Sequence, residues 1–150
     1  MVKSTRINSI NNNYTQPSHK GKFIKTEALD KVLEHSSLTE LNRFCKYLET
    51  VVSTKDTLEF SIHERVGKSK IPRFIRRDLI FRASIPNFSY NRTYITDEWP
   101  KDKPSSNFDY RTALYHINKE LEYYYPNRVT STDNFNKEQA LLRINYLLDK

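Results

Sequence analysis

The spacing of apolar residues changes twice along the chain, and this change limits the folds that the sequence can adopt. Apolar residues three and four apart predict four helices, at 27–35, 38–52, 110–124 and 135–148. Between the two pairs, apolar and polar residues alternate as in half-buried strands, first at 58–63 and again at 79–85. The sequence therefore predicts an α+β fold, in which a small antiparallel sheet at about 57–96 packs against N-terminal and C-terminal helical hairpins.

The basic segment that precedes Leu79 has a different pattern. Pro72 suits the first position of a helix. At helical spacing, three apolar side chains cluster opposite Arg73, Arg76 and Arg77. We expect a short helix with a basic outer face that runs into the strand.

Positive charge is concentrated in two parts of the chain. The formal net charge is +7, yet residues 1–25 contain five basic residues and no acidic one, and 63–83 contain seven basic and two acidic residues. The first part is also rich in Asn, Ser and Thr and has no apolar period, so it cannot bury enough surface to offset its ordering entropy. We predict a flexible basic arm at 1–25 and a single α+β domain at 26–150.

The basic segment at 65–82 is the candidate binding site. A local excess of positive charge repels itself unless an anion offsets it, and phosphate backbones are common anionic partners. Aromatic rings in polar surroundings can stack on bases. The candidate nucleic-acid-binding residues are Arg65, Lys68, Lys70, Arg73, Arg76, Arg77 and Arg82, with Tyr90 and Tyr94 as stacking rings.

These features favour a nonenzymatic accessory protein that binds DNA or RNA. Its small size, few glycines and many Asn and Lys residues are typical of a phage or mobile-element protein. The alternative is a protein-interaction module, such as a host-factor inhibitor or virion component, that docks on an acidic partner. A small nuclease is a third possibility, and it requires a pocket that holds His63 or His116 beside a carboxylate. The sequence does not indicate an oligomeric state.

The sequence excludes several other classes. Gly21 and Gly67 are the only glycines, so the chain has no glycine-rich phosphate loop, and we expect no cofactor. Cys45 is the only cysteine, which rules out an intramolecular disulfide and any zinc site built from several thiolates. No apolar run approaches the roughly 20 residues of a membrane span, and no secretory segment follows Met1. We therefore expect a cytoplasmic protein that is not secreted and contacts no membrane.

Overall fold

The computed structural model describes residues 21–104, 108–126 and 134–149. Within these ranges the chain forms four strands and four helices. Their order is β1 (Lys22–Phe23), α1 (Glu27–Glu34), α2 (Leu38–Ser53), β2 (Glu59–Lys68), β3 (Phe74–Ile85), β4 (Phe88–Pro100), α3 (Ala113–Tyr124) and α4 (Lys137–Leu148). The α+β class is confirmed. None of the helices in these ranges is long and apolar enough to cross a membrane.

The four strands form one sheet in the order β1-β2-β3-β4. β3 is antiparallel to both β2 and β4. β1 pairs in parallel with β2, with Lys22 opposite Glu59 and Phe23 opposite Phe60. The three strands in the region predicted as an antiparallel sheet are antiparallel, but β1 lies outside that region and makes the sheet mixed. A strand of two residues shows no period, so the sequence gives no signal for it.

The domain begins before residue 26. Phe23 is 2 % exposed, and its ring meets that of Phe44 edge-on at 5.2 Å between centroids. The last part of the predicted arm, residues 21–25, therefore belongs to the domain. The rest of the predicted arm, residues 1–20, lies outside the described residues.

The basic segment folds as a β-hairpin, and the predicted short helix is wrong. β2 pairs with β3 along its whole length, and residues 69–73 connect the two strands. Arg73 has a φ of 67°, which lies in the left-handed region that an α-helix does not contain. Its neighbours Arg76 and Arg77 lie on β3, which pairs on both sides. Pairing with strands distant in sequence therefore overrides the local helical pattern.

The helices begin where the sequence supplies a capping side chain. Ser37 Oγ accepts a hydrogen bond from the main-chain N–H of Glu40 (3.3 Å). Asn136 and Gln139 form a capping box at the start of α4. Each cap satisfies N–H groups that have no partner within the helix. The local signal at Ser37 explains why the predicted and observed starts of α2 agree.

Helix α2 contacts both C-terminal helices. The side chain of Asn118 on α3 donates to the main-chain carbonyl of Glu40 (3.1 Å). The thiol of Cys45 points to the carbonyl of Ala140 on α4 (3.5 Å). The two C-terminal helices therefore pack mainly on α2. In the predicted C-terminal hairpin they would pack mainly on each other.

The core lies between the helices and one face of the sheet. Phe60 on β2 occupies its centre and has no exposed surface. The ring of Phe60 lies within 6.1 Å of four other rings, with the shortest centroid distance 5.3 Å, and these belong to Phe23, Phe81, Tyr124 and Tyr125. Large aromatic rings thus form a core in a chain that is only 37 % hydrophobic.

The two glycines lie in opposite environments, and this contrast gives a first prediction. A Cβ at Gly21 would lie 2.5 Å from the carbonyl oxygen of Val51, whereas a Cβ at Gly67 meets nothing within 4 Å. We expect Gly21→Ala to lower the free energy of unfolding by about 1–3 kcal/mol because the main chain must shift. Gly67→Ala should change it by less than about 0.5 kcal/mol. Urea denaturation of both variants measures the difference, and equal midpoints would contradict this close approach.

Candidate nucleic-acid interface

Arg65, Arg76 and Arg82 share the sheet face opposite the core, which we call the open face. Residues that lie opposite each other on paired strands project from the same face. Arg65 lies opposite Asp78, and Arg76 and Arg82 are two and four residues from Asp78 along β3, so all three alternate onto this face. Phe60 and Phe81 project from the other face into the core. We call these three residues the arginine track.

Asp78 holds two members of the arginine track in place. Its carboxylate accepts hydrogen bonds from Arg76 Nε (2.9 Å), Arg65 Nη2 (3.3 Å) and Thr96 Oγ1 (2.8 Å). Asp78 is only 3 % exposed. Burial alone raises the pKa of this carboxyl, but the hydrogen bonds from Thr96, Arg76 and Arg65 outweigh burial and keep the pKa below its usual value. Asp78 is therefore ionised at neutral pH and fixes both guanidinium groups.

Arg82 has a neutral partner. Its Nε donates to the side-chain oxygen of Asn91 on β4 (3.0 Å), and an amide does not neutralise a guanidinium. On the same face, Ser61 Oγ lies 2.8 Å from His63 Nε2. Burial and the charge of Arg82 lower the pKa of His63. The His63 ring is therefore mainly neutral at pH 7, and the positive charge here belongs to Arg82.

A second basic cluster lies where the β2–β3 turn meets the end of β4. The main-chain N–H of Lys101 donates to the carbonyl of Arg73 (2.7 Å), which brings the two segments together. The exposed basic residues here, which we call the basic tip, are Lys68, Lys70, Arg73, Lys101 and Lys103. Residues 68–74 and 98–104 together carry five basic and two acidic side chains, a net +3. The basic tip therefore contains two lysines in addition to the predicted residues Lys68, Lys70 and Arg73.

Arg77 does not belong to this surface. It lies beside Arg76 on a strand and therefore points to the other face. Its guanidinium is 5.5 Å from the ring centroid of Trp99 and 5.2 Å from that of Phe108. The prediction that Arg73, Arg76 and Arg77 project together is wrong, because it rested on helical geometry. Arg73 lies in the turn, and only Arg76 lies on the open face.

The two predicted stacking rings also differ from each other. Tyr94 packs between the rings of Phe81 (5.9 Å) and His116 (5.4 Å), so little of its surface remains to stack on a base. Tyr94 is therefore partly buried against the core, and a stacking role for it stays a prediction. Tyr90 lies in a cleft between β4 and α3, where its hydroxyl accepts a hydrogen bond from Arg92 Nε (3.1 Å).

Sequence reasoning missed Lys101 and Lys103 at the basic tip. The predicted sheet ends at about residue 96, but β4 continues to Pro100, which lies opposite Phe74. This register places both lysines beside the turn. A local pattern contains no such signal, because the placement depends on the pairing of two strands.

The two histidines considered for a nuclease contact neutral groups. His63 contacts the Ser61 hydroxyl, and His116 contacts the rings of Tyr94 and Tyr115. Among the side chains that the structure describes, no group of three His, Cys, Asp or Glu residues is placed to hold a metal ion. These contacts give no support to the nuclease alternative.

Comparisons of the chain with protein-family models, with curated proteins and with solved structures found no match.

Proposed function

We propose that the protein is a nonenzymatic nucleic-acid-binding accessory protein that holds phosphates on its open face. The observation that carries the proposal is the common orientation of Arg65, Arg76 and Arg82. The guanidinium is a planar group that donates two parallel hydrogen bonds to a phosphate, so arginine is well suited to this contact. The described helices pack on the opposite face and leave these side chains accessible.

The exposure of the arginine track is compatible with binding. The side chain of Arg65 is 67 % exposed and that of Arg76 is 37 % exposed, although both contact Asp78. One carboxylate cannot neutralise two guanidinium groups, and the partner of Arg82 is an amide. The three arginines and Asp78 therefore carry a net charge of about +2, which an anionic partner can offset.

The spacing of the arginine track also fits a phosphate backbone. Arg76 and Arg82 are six residues apart on one strand, which corresponds to about 20 Å. One strand of B-form DNA carries a phosphate about every 3.4 Å of helix axis, so about six phosphates span this distance. The basic tip adds further cations beyond Arg76. A backbone that follows β3 can therefore contact several of these side chains at once.

The test is a titration of the full chain against fluorescently labelled single- and double-stranded DNA and RNA. For three to five phosphate contacts, raising the salt from about 50 to about 200 mM should weaken binding to duplex DNA about 40- to 500-fold, because each contact releases counterions. Binding that ignores salt, or no binding to any of the four, would contradict the proposal. The interaction-module alternative, an acidic protein partner, would then account better for the basic surface.

A further inference from the structure

We infer that the cleft between β4 and α3 receives bases of single-stranded nucleic acid. This inference rests on the proposed function and narrows its substrate class to single strands. The cleft has a volume of about 600 Å³, within the usual range for organic ligands. The cleft is lined by Phe88, Tyr90 and Arg92 from β4 and by Lys119, Glu120, Tyr123 and Tyr124 from α3.

The floor of this cleft is held in place by the core and by an ion pair. The ring of Tyr124 contacts Phe60 edge-on, with 5.3 Å between centroids. Arg92 Nη1 lies 3.1 Å from a carboxylate oxygen of Glu120, while its Nε donates to the Tyr90 hydroxyl. One cation and two rings are therefore positioned before any ligand binds, which lowers the entropy lost on binding.

The rim of the cleft exposes two aromatic rings to solvent. Phe88 is 62 % exposed and Tyr123 is 78 % exposed. An exposed ring of this size gains free energy when a flat surface covers it, and a base supplies such a surface whatever its sequence. The two rings therefore favour a planar aromatic ligand.

The exposed lysine of the cleft can contact a phosphodiester. Lys119 lies 3.7 Å from Glu122, and both side chains are 55 % exposed. Such a surface pair contributes little, so Lys119 can exchange Glu122 for a phosphate. Arg92 already pairs with Glu120, so Lys119 is the cation that meets the phosphate. A cation next to aromatic rings is the combination that single-strand-binding surfaces use.

The cleft and the arginine track are separated only by the edge strand β4. Asn91 lies between Tyr90 and Arg92 in the chain and projects to the open face, where it accepts a hydrogen bond from Arg82. In the described part of the chain no strand pairs with the outer edge of β4. A single strand can therefore cross this edge, leaving phosphates near Arg82 and bases in the cleft. A duplex keeps its bases paired and cannot.

The experiment compares an oligothymidylate with an abasic oligomer of the same length and the same phosphates. We expect the wild type to bind the oligothymidylate about 10-fold more tightly, because stacking adds to the phosphate contacts. The double variant Phe88→Ala with Tyr123→Ala should lose this difference and keep the affinity for the abasic oligomer. The control is Tyr146→Ala, which removes a 52 % exposed ring on α4, outside the cleft, and should behave as wild type.

The outcomes separate this inference from the proposed function. Equal, salt-dependent binding of both oligomers by the wild type would overturn the inference, point to a peptide or a second copy of the chain in the cleft, and leave the proposed function standing. Failure to bind either oligomer would overturn both. Thymidine monophosphate in large excess should not displace the oligothymidylate, because it cannot reach Arg82 as well. Full displacement would show a nucleotide site and overturn the inference.

Discussion

Replacing Arg65 and Arg82 together with glutamine should weaken nucleic-acid binding about 100-fold at about 50 mM salt, since each phosphate contact contributes about 10-fold there. The slope of log affinity against log salt should fall by about two. Arg65→Gln breaks only an ion pair whose arginine is 67 % exposed, so it should cost less than about 1 kcal/mol of stability. The loss therefore reflects binding rather than unfolding.

A matched pair of substitutions on other surfaces controls for total charge. Arg43 on α2 and Arg111 have side chains that are 46 % and 77 % exposed. Arg43→Gln with Arg111→Gln removes the same two charges and should leave the affinity within about threefold of wild type. If both double variants lose affinity equally, only the net charge of the protein matters, and the arginine track has no special role.

Replacing Phe60 with alanine should cause the largest loss of stability in the chain. The side chain has no exposed surface, and its ring contacts four other rings from β1, β3 and the end of α3. Removing a buried Phe typically costs about 3–5 kcal/mol, including the cavity that remains. Since domains are stable by only about 5–15 kcal/mol, much of the protein's stability would be lost.

Urea denaturation of Phe60→Ala and Phe88→Ala measures this effect. Phe88 is 62 % exposed, so its removal should change the free energy of unfolding by less than about 0.5 kcal/mol. If Phe60→Ala does not fold, Phe60→Leu provides a milder test, with a loss of about 1 kcal/mol. A midpoint equal to that of the wild type would show that Phe60 is not at the centre of the core.

The helices could be predicted because their signals are local. Ser37 and Glu40 mark the start of α2 within four residues of sequence, and the capping hydrogen bond is present. The apolar residues of each helix also recur within a few positions. Elements defined by neighbours in the chain are therefore the part of the fold that this sequence indicates best.

The basic segment could not be predicted in the same way. Its apolar residues Phe74 and Ile75 fit a helical stripe as well as a strand that pairs on both sides. Only the pairing of β3 with β2 and β4 decides between them, and that pairing joins residues far apart in sequence. The wrong secondary structure also gave a wrong prediction of the site. A helix places Arg76 and Arg77 on the same side, whereas a strand points them to opposite faces.

The prediction of the site was also limited to what local sequence can show. Charge composition alone was enough to select Arg65, Arg76 and Arg82 as candidates. It could not indicate that Asp78 holds two of them, or that Arg77 contacts Trp99 instead. These contacts depend on which residues lie opposite each other across the sheet.

The arginine side chains can be observed directly while nucleic acid binds. NMR spectra that resolve the Nε–Hε groups can follow each arginine while a short oligonucleotide is added at low salt. We expect the signals of Arg65, Arg76 and Arg82 to shift together, with one affinity. The signals of Arg43 and Arg143 on the helices should stay in place. Shifts confined to the helical arginines, or none at all, would contradict a phosphate-binding open face.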